Sequence, residues 1–365
     1  MAELVLRGSE LQEADVESIG IALKEEKHNI TALDVSDNAL GNDAGGKIIG
    51  FLVDNRLVTR AALNDNDLGD EIAEQLANLI ETNTTLEVLE LQGNSIYTDG
   101  LARLASALPK NRVLQYVDLG HNQLGIRGAE LLAGCLAESS LTSLNLSGNR
   151  ICGAGAQHVL SMTAEKGPAS LDLARNEIGA QGIELMCAAL EDNSSVKFLN
   201  LGNNRIDGEG ADILCKALAH NTAVEVVTLQ QNELGEEGAF CVAALLAKNT
   251  RLTRLDLAGN GIGDAGTGRI AAALEGRCFH SLGLSHNAIS DEGALSLAAA
   301  VRKAPRSLCE LAVAGNAIGD DGGKSLLEAA RGSPQLVVLD LLYNNLSTEI
   351  ADSIENMMAE RAKLS

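Results

Sequence analysis

Leu252-Thr253-Arg254-Leu255-Asp256-Leu257-Ala258-Gly259-Asn260-Gly261-Ile262-Gly263-Asp264-Ala265-Gly266 is one spelling of a phrase that recurs along nearly the whole chain. Set in register on the asparagine of L-x-x-L-x-L-x-x-N-x-L/I, Asn38, Asn66, Asn94, Asn122, Asn149, Asn176, Asn204, Asn232, Asn260, Asn287, Asn316 and Asn344 fall 27 to 29 residues apart, with no unrelated segment between them. A further unit opens the chain at Leu4-Val5-Leu6-Arg7-Gly8-Ser9, with serine at the asparagine position. A fixed period of this length marks a solenoid, in which each unit buries its apolar side against its neighbours.

The phrase has a physical reading. Leu255 and Leu257 alternate with Arg254, Asp256 and Ala258, a period of two that buries the leucines of a short strand and leaves their neighbours on its open face. A turn follows, marked by glycine three residues past the asparagine at Gly41, Gly69, Gly125, Gly179, Gly235, Gly263 and Gly319. The period then becomes helical, with apolar residues at the seventh, tenth and fourteenth places: Ala211, Leu214 and Leu218, or Ala129, Leu132 and Leu136. Glycine at the sixth place, from Gly100 to Gly293 and again at Gly322, suits a close approach of each helix start to its neighbour. Acids such as Asp70, Asp264, Asp291 and Asp320 stand near the helix start, where the helix dipole favours negative charge. The asparagine carries both donors and acceptors and is placed to satisfy buried backbone groups of its own and the adjacent unit.

Parallel strands stack about 4.8 Å apart and packed helices about 8 to 10 Å apart, so such an array bends with its strands inside. The expectation is an α/β leucine-rich repeat solenoid, a horseshoe of about thirteen strand–helix units. Parallel strands line its concave face and helices its convex face, and residues 1–365 form a single domain. The residue between the two core leucines of each strand points into the concavity. It is acidic at Asp34, Glu90, Asp118, Asp172, Asp256 and Asp340, and basic at none of these places. Tyr116 and Phe198 flank that strip and Tyr343 lies near its far end. These residues define an expected partner-binding face: an acidic groove for a basic helix, tail or loop, with Tyr116 and Phe198 as anchors.

Composition narrows the partner. A net charge of −22 argues against nucleic acid or an anionic membrane, since both need a basic face, and favours a protein with a basic surface. The seven cysteines lack C-x-x-C spacing, and Cys187 and Cys215 take a place that alanine fills elsewhere, so they read as small buried residues in a reducing compartment. The chain starts directly on a repeat, without a secretory leader, and a cytoplasmic location is expected. Gly319-Asp320-Asp321-Gly322-Gly323-Lys324-Ser325 resembles a phosphate-binding loop, but Ile318 stands where that motif needs glycine and two aspartates would repel a phosphate. The six histidines have no metal-ligand spacing, and no Ser/His/Asp or Cys/His set converges once placed on the repeat. No cofactor, metal or catalytic residue is expected.

The period, the L-x-x-L-x-L-x-x-N-x-L/I-G unit and the Gly-Ala helix start of Gly238-Ala239 and Gly293-Ala294 resemble the ribonuclease-inhibitor-type class of leucine-rich repeats. The class includes ribonuclease inhibitor, the sensor regions of NOD-like receptors, the Ran GTPase-activating protein and repeat-only proteins of cytoskeleton and cilia. The resemblance implies a shared scaffold and not a shared activity. It makes a non-enzymatic interaction scaffold, cytoplasmic or associated with cytoskeleton or cilium, the first expectation. A GTPase activator of the Ran type and an inhibitor of a basic enzyme are the alternatives. Neither end of the array carries a distinct polar cap, so the terminal units are candidates for pairing two chains.

Overall fold

A computed structural model describes residues 2–25, 28–303 and 308–362, and its side chains to residue 361. Two compact units divide it: residues Met1–Glu177 with Asn193–Val196, and Ile178–Asp192 with Lys197–Ser365.

Among the described residues of the first unit, seven strands alternate with six α-helices. The strands are β1 (Ala2–Val5), β2 (Ile30–Asp34), β3 (Arg60–Ala62), β4 (Val88–Glu90), β5 (Tyr116–Asp118), β6 (Ser143–Asn145) and β7 (Ser170–Asp172). The helices are α1 (Glu13–Lys24), α2 (Gly41–Val53), α3 (Ala73–Thr82), α4 (Thr98–Ala107), α5 (Gly125–Leu136) and α6 (Cys152–Met162). The strands lie side by side in sequence order, all parallel, and each pairs in the repeat's own register: Tyr116 faces Val88 and Ser143, and Asp118 faces Glu90 and Asn145.

The second unit repeats the pattern. It begins with α7 (Gly179–Asp192) and continues through β8 (Phe198–Asn200), α8 (Gly208–His220), β9 (Val226–Thr228), α9 (Gly235–Lys248), β10 (Arg254–Asp256) and α10 (Gly263–Ala273). It ends with β11 (Ser281–Gly283), α11 (Asp291–Lys303), β12 (Glu310–Ala312), α12 (Asp320–Arg331), β13 (Val338–Asp340) and α13 (Thr348–Ala362). The strands β8 to β13 are again parallel and adjacent in sequence order. This is the leucine-rich repeat solenoid read from the sequence, strand after strand in one layer and helix after helix in the other.

The two periods do what the pattern requires. Leu255 and Leu257 are buried beneath β10 while Arg254 and Asp256 stay partly exposed. Ala211, Leu214 and Leu218 are all buried on the inner side of α8. The sixth-place glycine is explained by crowding from its own helix start and from the preceding helix: a Cβ on Gly238 would lie 2.8 Å from Cβ of Leu234, the N-cap of α9, and 3.2 Å from Ala211 Cβ on α8. Any side chain there would push α9 off α8.

The asparagines form the ladder. Asn149 is fully buried; its amide donates to Leu119 O (2.7 Å), Leu146 O (3.1 Å) and Ser147 O (3.2 Å). Its carbonyl accepts from the amides of Asn122 (2.9 Å) and Leu124 (3.2 Å). One side chain thus satisfies five backbone groups in two adjacent copies, where water is excluded.

A second ladder runs along the helix C-termini. Asn111 donates to Ile80 O and Asn83 O and accepts from Val113 N and Leu114 N. Asn83 and Asn249 repeat the arrangement on their own neighbours. At the same place in later copies, the guanidinium of Arg277 donates to Leu246 O, Asn249 O and Leu252 O, and that of Arg361 to Ala330 O, Ser333 O and Leu336 O. Carbonyls at a helix C-terminus carry the negative end of the dipole, so a cation suits them.

Candidate protein-binding face

The open face of the strands in each unit is built from three residues per copy, of which the middle one belongs to the strip of acids. Its chemistry follows from the ladder. In β10 the next rung of the parallel sheet would run from the Ala258 amide to Leu229 O, but Asn260 already donates to that carbonyl (2.9 Å). The Ala258 amide turns instead to Asp256 Oδ1 (3.0 Å). The same bond recurs from Ser36 to Asp34 (3.0 Å), Gly120 to Asp118 (2.8 Å), Ser147 to Asn145 (2.8 Å), Ala174 to Asp172 (2.9 Å), Gly202 to Asn200 (2.9 Å) and Leu342 to Asp340 (3.0 Å). A short side chain with an acceptor is what an amide orphaned at this place needs, which selects Asp or Asn.

At three places where the strip residue does not supply that acceptor, the preceding copy does. Asn64 N donates to Ser36 Oγ beside Ala62, Gln92 N to Asn64 Oδ1 beside Glu90, and Ala314 N to Ser285 Oγ beside Ala312. The strip is therefore a backbone device first. Charge is what Asp adds over Asn.

The acids at helix starts serve a similar end, one copy further on. Asp264 Oδ1 accepts from Ser290 N and Gly293 N, and Asp70 Oδ1 from Tyr97 N. Asp320 Oδ1 accepts from Ser347 N, and that bond holds the Asp320 carboxyl below its usual range. In the segment that resembles a phosphate loop, Gly319 N and Gly322 N both donate to Asp291 Oδ1, so the amides a phosphate would need are already occupied. Among the described residues, no group of three or more His, Cys, Asp or Glu side chains is arranged to hold a metal ion. Burial pushes the thiol of Cys135 up to about 11 and that of Cys187 to about 12, which makes both poor nucleophiles.

The structure distributes the expected site residues over the two units. In the first, Asp34, Glu90, Tyr116, Asp118 and Asp172 lie on the strand face; Asp34 and Asp172 hold their own turn amides, and the other three are engaged with side chains. Asp118 is buried: its Oδ2 accepts from the Tyr116 hydroxyl (3.0 Å) and from Asn145 Nδ2 (3.0 Å). Burial, then the charge and hydrogen bond of Asp118, and then the charges of Glu90 and Asp172, push the Tyr116 hydroxyl far above the usual tyrosine range. Glu90 is held by Arg60 at 2.9 Å and by Asn64 Nδ2 at 3.2 Å. Tyr116 sits beside Val88 in register, forming a half-exposed apolar step.

In the second unit Phe198 pairs in register with Val226 to form the corresponding step. Asp256 and Asp340 are partly exposed carboxylates, each with one oxygen committed to its own turn. Arg254 reaches Glu310 at 3.5 Å. Tyr343 is 86% exposed and Leu342 55% exposed beside β13. The strip of residues between the core leucines left out Arg60, and left out Arg254 although the alternation puts it on the open face. They stand one place earlier on the same face, and an alternation of two puts them there.

Comparison with known proteins agrees with this architecture. The leucine-rich repeat model matches residues 26–48, 82–105, 110–133, 138–158, 170–187, 192–215, 248–271, 277–298 and 304–327, together more than half of the chain, and a second leucine-rich repeat model matches residues 335–357. The chain belongs to the leucine-rich repeat family. No curated protein sequence matches it. Among solved structures, it is similar to the leucine-rich repeat-containing protein LegL7 of Legionella pneumophila, at 18% identity and a TM-score of 0.53, over 93% of this chain and 94% of that one. An internalin, InlF, of Listeria monocytogenes matches at 18% identity and a TM-score of 0.48, over 94% of this chain and 92% of that one. Proteins built on this repeat generally act as protein-interaction scaffolds.

Proposed function

We propose that the protein is a non-enzymatic scaffold of the ribonuclease-inhibitor-type class that holds a partner with a basic surface on its strand face. The observation that carries this is the use of Asp rather than Asn at strip places such as Asp34, Asp256 and Asp340. Either residue would satisfy the orphan amide, but only Asp leaves a carboxylate on the open face. Like charges on the strand face of a unit raise the encounter rate with a cationic partner and set its orientation. Tyr116 with Val88, and Phe198 with Val226, supply the apolar steps on which such a partner would rest. We place it in a reducing compartment, where buried thiols such as Cys135, Cys187 and Cys215 serve as core residues. The exposed Leu342 and Tyr343 favour a second contact, self-association through the last copy.

Substitution of Asp34, Asp256 and Asp340 by Asn keeps each turn bond and removes three charges. The control removes the same number from the helices, as Glu184→Gln, Glu191→Gln and Glu209→Gln. In captures from native lysate at matched salt, the strip variant is expected to lose the proteins retained by wild type and the control. Equal behaviour of the two variants rejects the groove. Stimulated GTP hydrolysis on adding a small GTPase would replace this reading with a Ran-type activator, and stoichiometric loss of activity of a basic ribonuclease with an inhibitor. Sedimentation of wild type and Tyr343→Ser reads the self-association, which a monomeric wild type would reject.

A further inference from the structure

A depression of about 320 Å³ lies on the open face of the second unit, across β9 to β13. Its floor is where the strands carry their smallest side chains, Ser281 and Gly283 of β11 and Ala312 of β12. Val226 and Val338 close its two sides with apolar surface. The room is near the lower end of what binding pockets occupy, about 300 Å³.

The turn bonds of neighbouring strands hold that room in place. A Cβ on Gly283 would lie 2.5 Å from Asp256 Oδ1, and that oxygen is committed to the Ala258 amide at 3.0 Å. Ala312 needs no acceptor of its own, because Ser285 Oγ takes the Ala314 amide at 3.1 Å. The fixed Asp256 carboxylate thus keeps Gly283 small, Ala312 is spared any need for a polar side chain, and together they leave a hollow beside three charged groups.

Those groups are Arg254, Asp256 and Glu310, two carboxylates to one guanidinium. Arg254 and Glu310 are 45% and 39% exposed and stand 3.5 Å apart, a pair that water and salt weaken and that a second cation can enter at little cost. An apolar hollow with net negative charge at its lip is complementary to an aliphatic side chain with a cation beside it.

We propose that this depression receives one leucine-sized aliphatic side chain of a partner protein, with an adjacent Lys or Arg paired to Asp256 or Glu310. The proposal rests on the reading of the strand face as the partner-binding surface and names the kind of residue pair recognised there.

The probes are three nine-residue peptides with Gly-Ser flanks and centres Lys-Leu-Lys, Lys-Ser-Lys and Glu-Leu-Glu, titrated into the full chain while the valine and leucine methyl resonances are followed. Lys-Leu-Lys is expected to shift the Val226 and Val338 methyls and to bind about tenfold more tightly than Lys-Ser-Lys, since a largely buried leucine is worth that much, and more tightly than Glu-Leu-Glu, whose carboxylates would face Asp256 and Glu310. Ala312→Leu fills the hollow and should abolish the difference between Leu and Ser centres, while Ala312→Ser, which adds a single oxygen, should retain it. Equal binding of Lys-Leu-Lys and Lys-Ser-Lys to wild type, or undiminished selectivity in Ala312→Leu, overturns the hollow and leaves the acidic face standing. Failure of both lysine peptides to bind anywhere on the strand face at low salt overturns both readings.

Discussion

Over β5 and β6 the strand face is filled by its own side chains; over β11 and β12 it is bare. In the first place Tyr116, Asp118 and Asn145 hydrogen-bond to one another, and Asp118 is buried beneath that network. In the second, Ser281, Gly283 and Ala312 occupy equivalent faces of their strands and leave a hollow. The backbone problem is the same in both, an amide left unpaired because a ladder asparagine has taken its carbonyl. The solutions differ. One uses the strip residue and binds it into a fixed cluster, while at β12 the other borrows an acceptor from Ser285 and frees Ala312 from any need for a polar side chain. A strand face in this fold can therefore be rigid or receptive without altering the sheet beneath it.

The largest expected effect comes from removing what the two regions share. Asn149→Ala would leave the amides of Asn122 and Leu124 and the carbonyls of Leu119, Leu146 and Ser147 without their partner in a site that excludes water. A loss of about 3 kcal/mol is expected, because each buried group left unpaired costs about 1 to 3 kcal/mol and some relaxation is available. Urea unfolding followed by circular dichroism measures it, with hydrogen exchange at Asn122 and Leu124 reporting the local opening. A loss below about 1 kcal/mol would mean that the ladder is decorative and that the strip chemistry has another origin.

Sequence reading reached this ladder because one residue type recurs at one place with no substitute beyond Ser9. It missed the second ladder for the opposite reason. Asn83, Asn111 and Asn249 stand among Thr, Ser and charged residues that look like a solvated turn, as in Glu81-Thr82-Asn83-Thr84-Thr85. In Arg277 and Arg361 a different residue type reaches the equivalent carbonyls. Asn83 also shows that a glycosylation triplet can be a buried cap: its amide donates to Leu52 O and Asn55 O. The strip acids were legible as residues but not as acceptors, because their partner amide is orphaned only after the asparagine has chosen its carbonyl. The hollow was invisible for a related reason. Ser281, Gly283 and Ala312 are unremarkable in their own copies, and only lateral pairing of β11 with β12 turns three small residues into one space.

The filled region makes the next test. Asp118→Ala removes the acceptor of the Tyr116 hydroxyl, Asn145 Nδ2 and Gly120 N together, and about 2 kcal/mol of stability should go with it. Tyr116 supplies an independent readout. Its hydroxyl ionises above the ordinary tyrosine value of about 10, so the neutral form is favoured by the fold. That contribution is complete below the unfolded pKa and is lost as pH rises through the higher folded one. An absorbance titration should therefore find one tyrosine ionising after the other two, and in Asp118→Ala the late step should move down while remaining above the ordinary value, since burial is the larger cause. Three superimposed ionisations in wild type would show that the Tyr116–Asp118 cluster is not formed in solution.

The smallest expected effect separates the two jobs of a strip aspartate in the receptive region. Asp256→Asn keeps an oxygen for the Ala258 amide and discards the charge, so stability should stay within about 0.5 kcal/mol of wild type, as for a surface substitution that spares the turn. Asp256→Ala discards both and should cost about 1 kcal/mol, the net worth of one hydrogen bond to a charged acceptor in a half-exposed place. If the two substitutions destabilise equally, charge and not geometry selects aspartate here, and the strip would have to be held by long-range electrostatics that 0.5 M salt should abolish, since screening at that strength reaches within about 5 Å. If Asn is neutral and Ala is not, the amide explains why an Asx residue stands at 256. The choice of Asp over Asn is then left to whatever approaches from the open side.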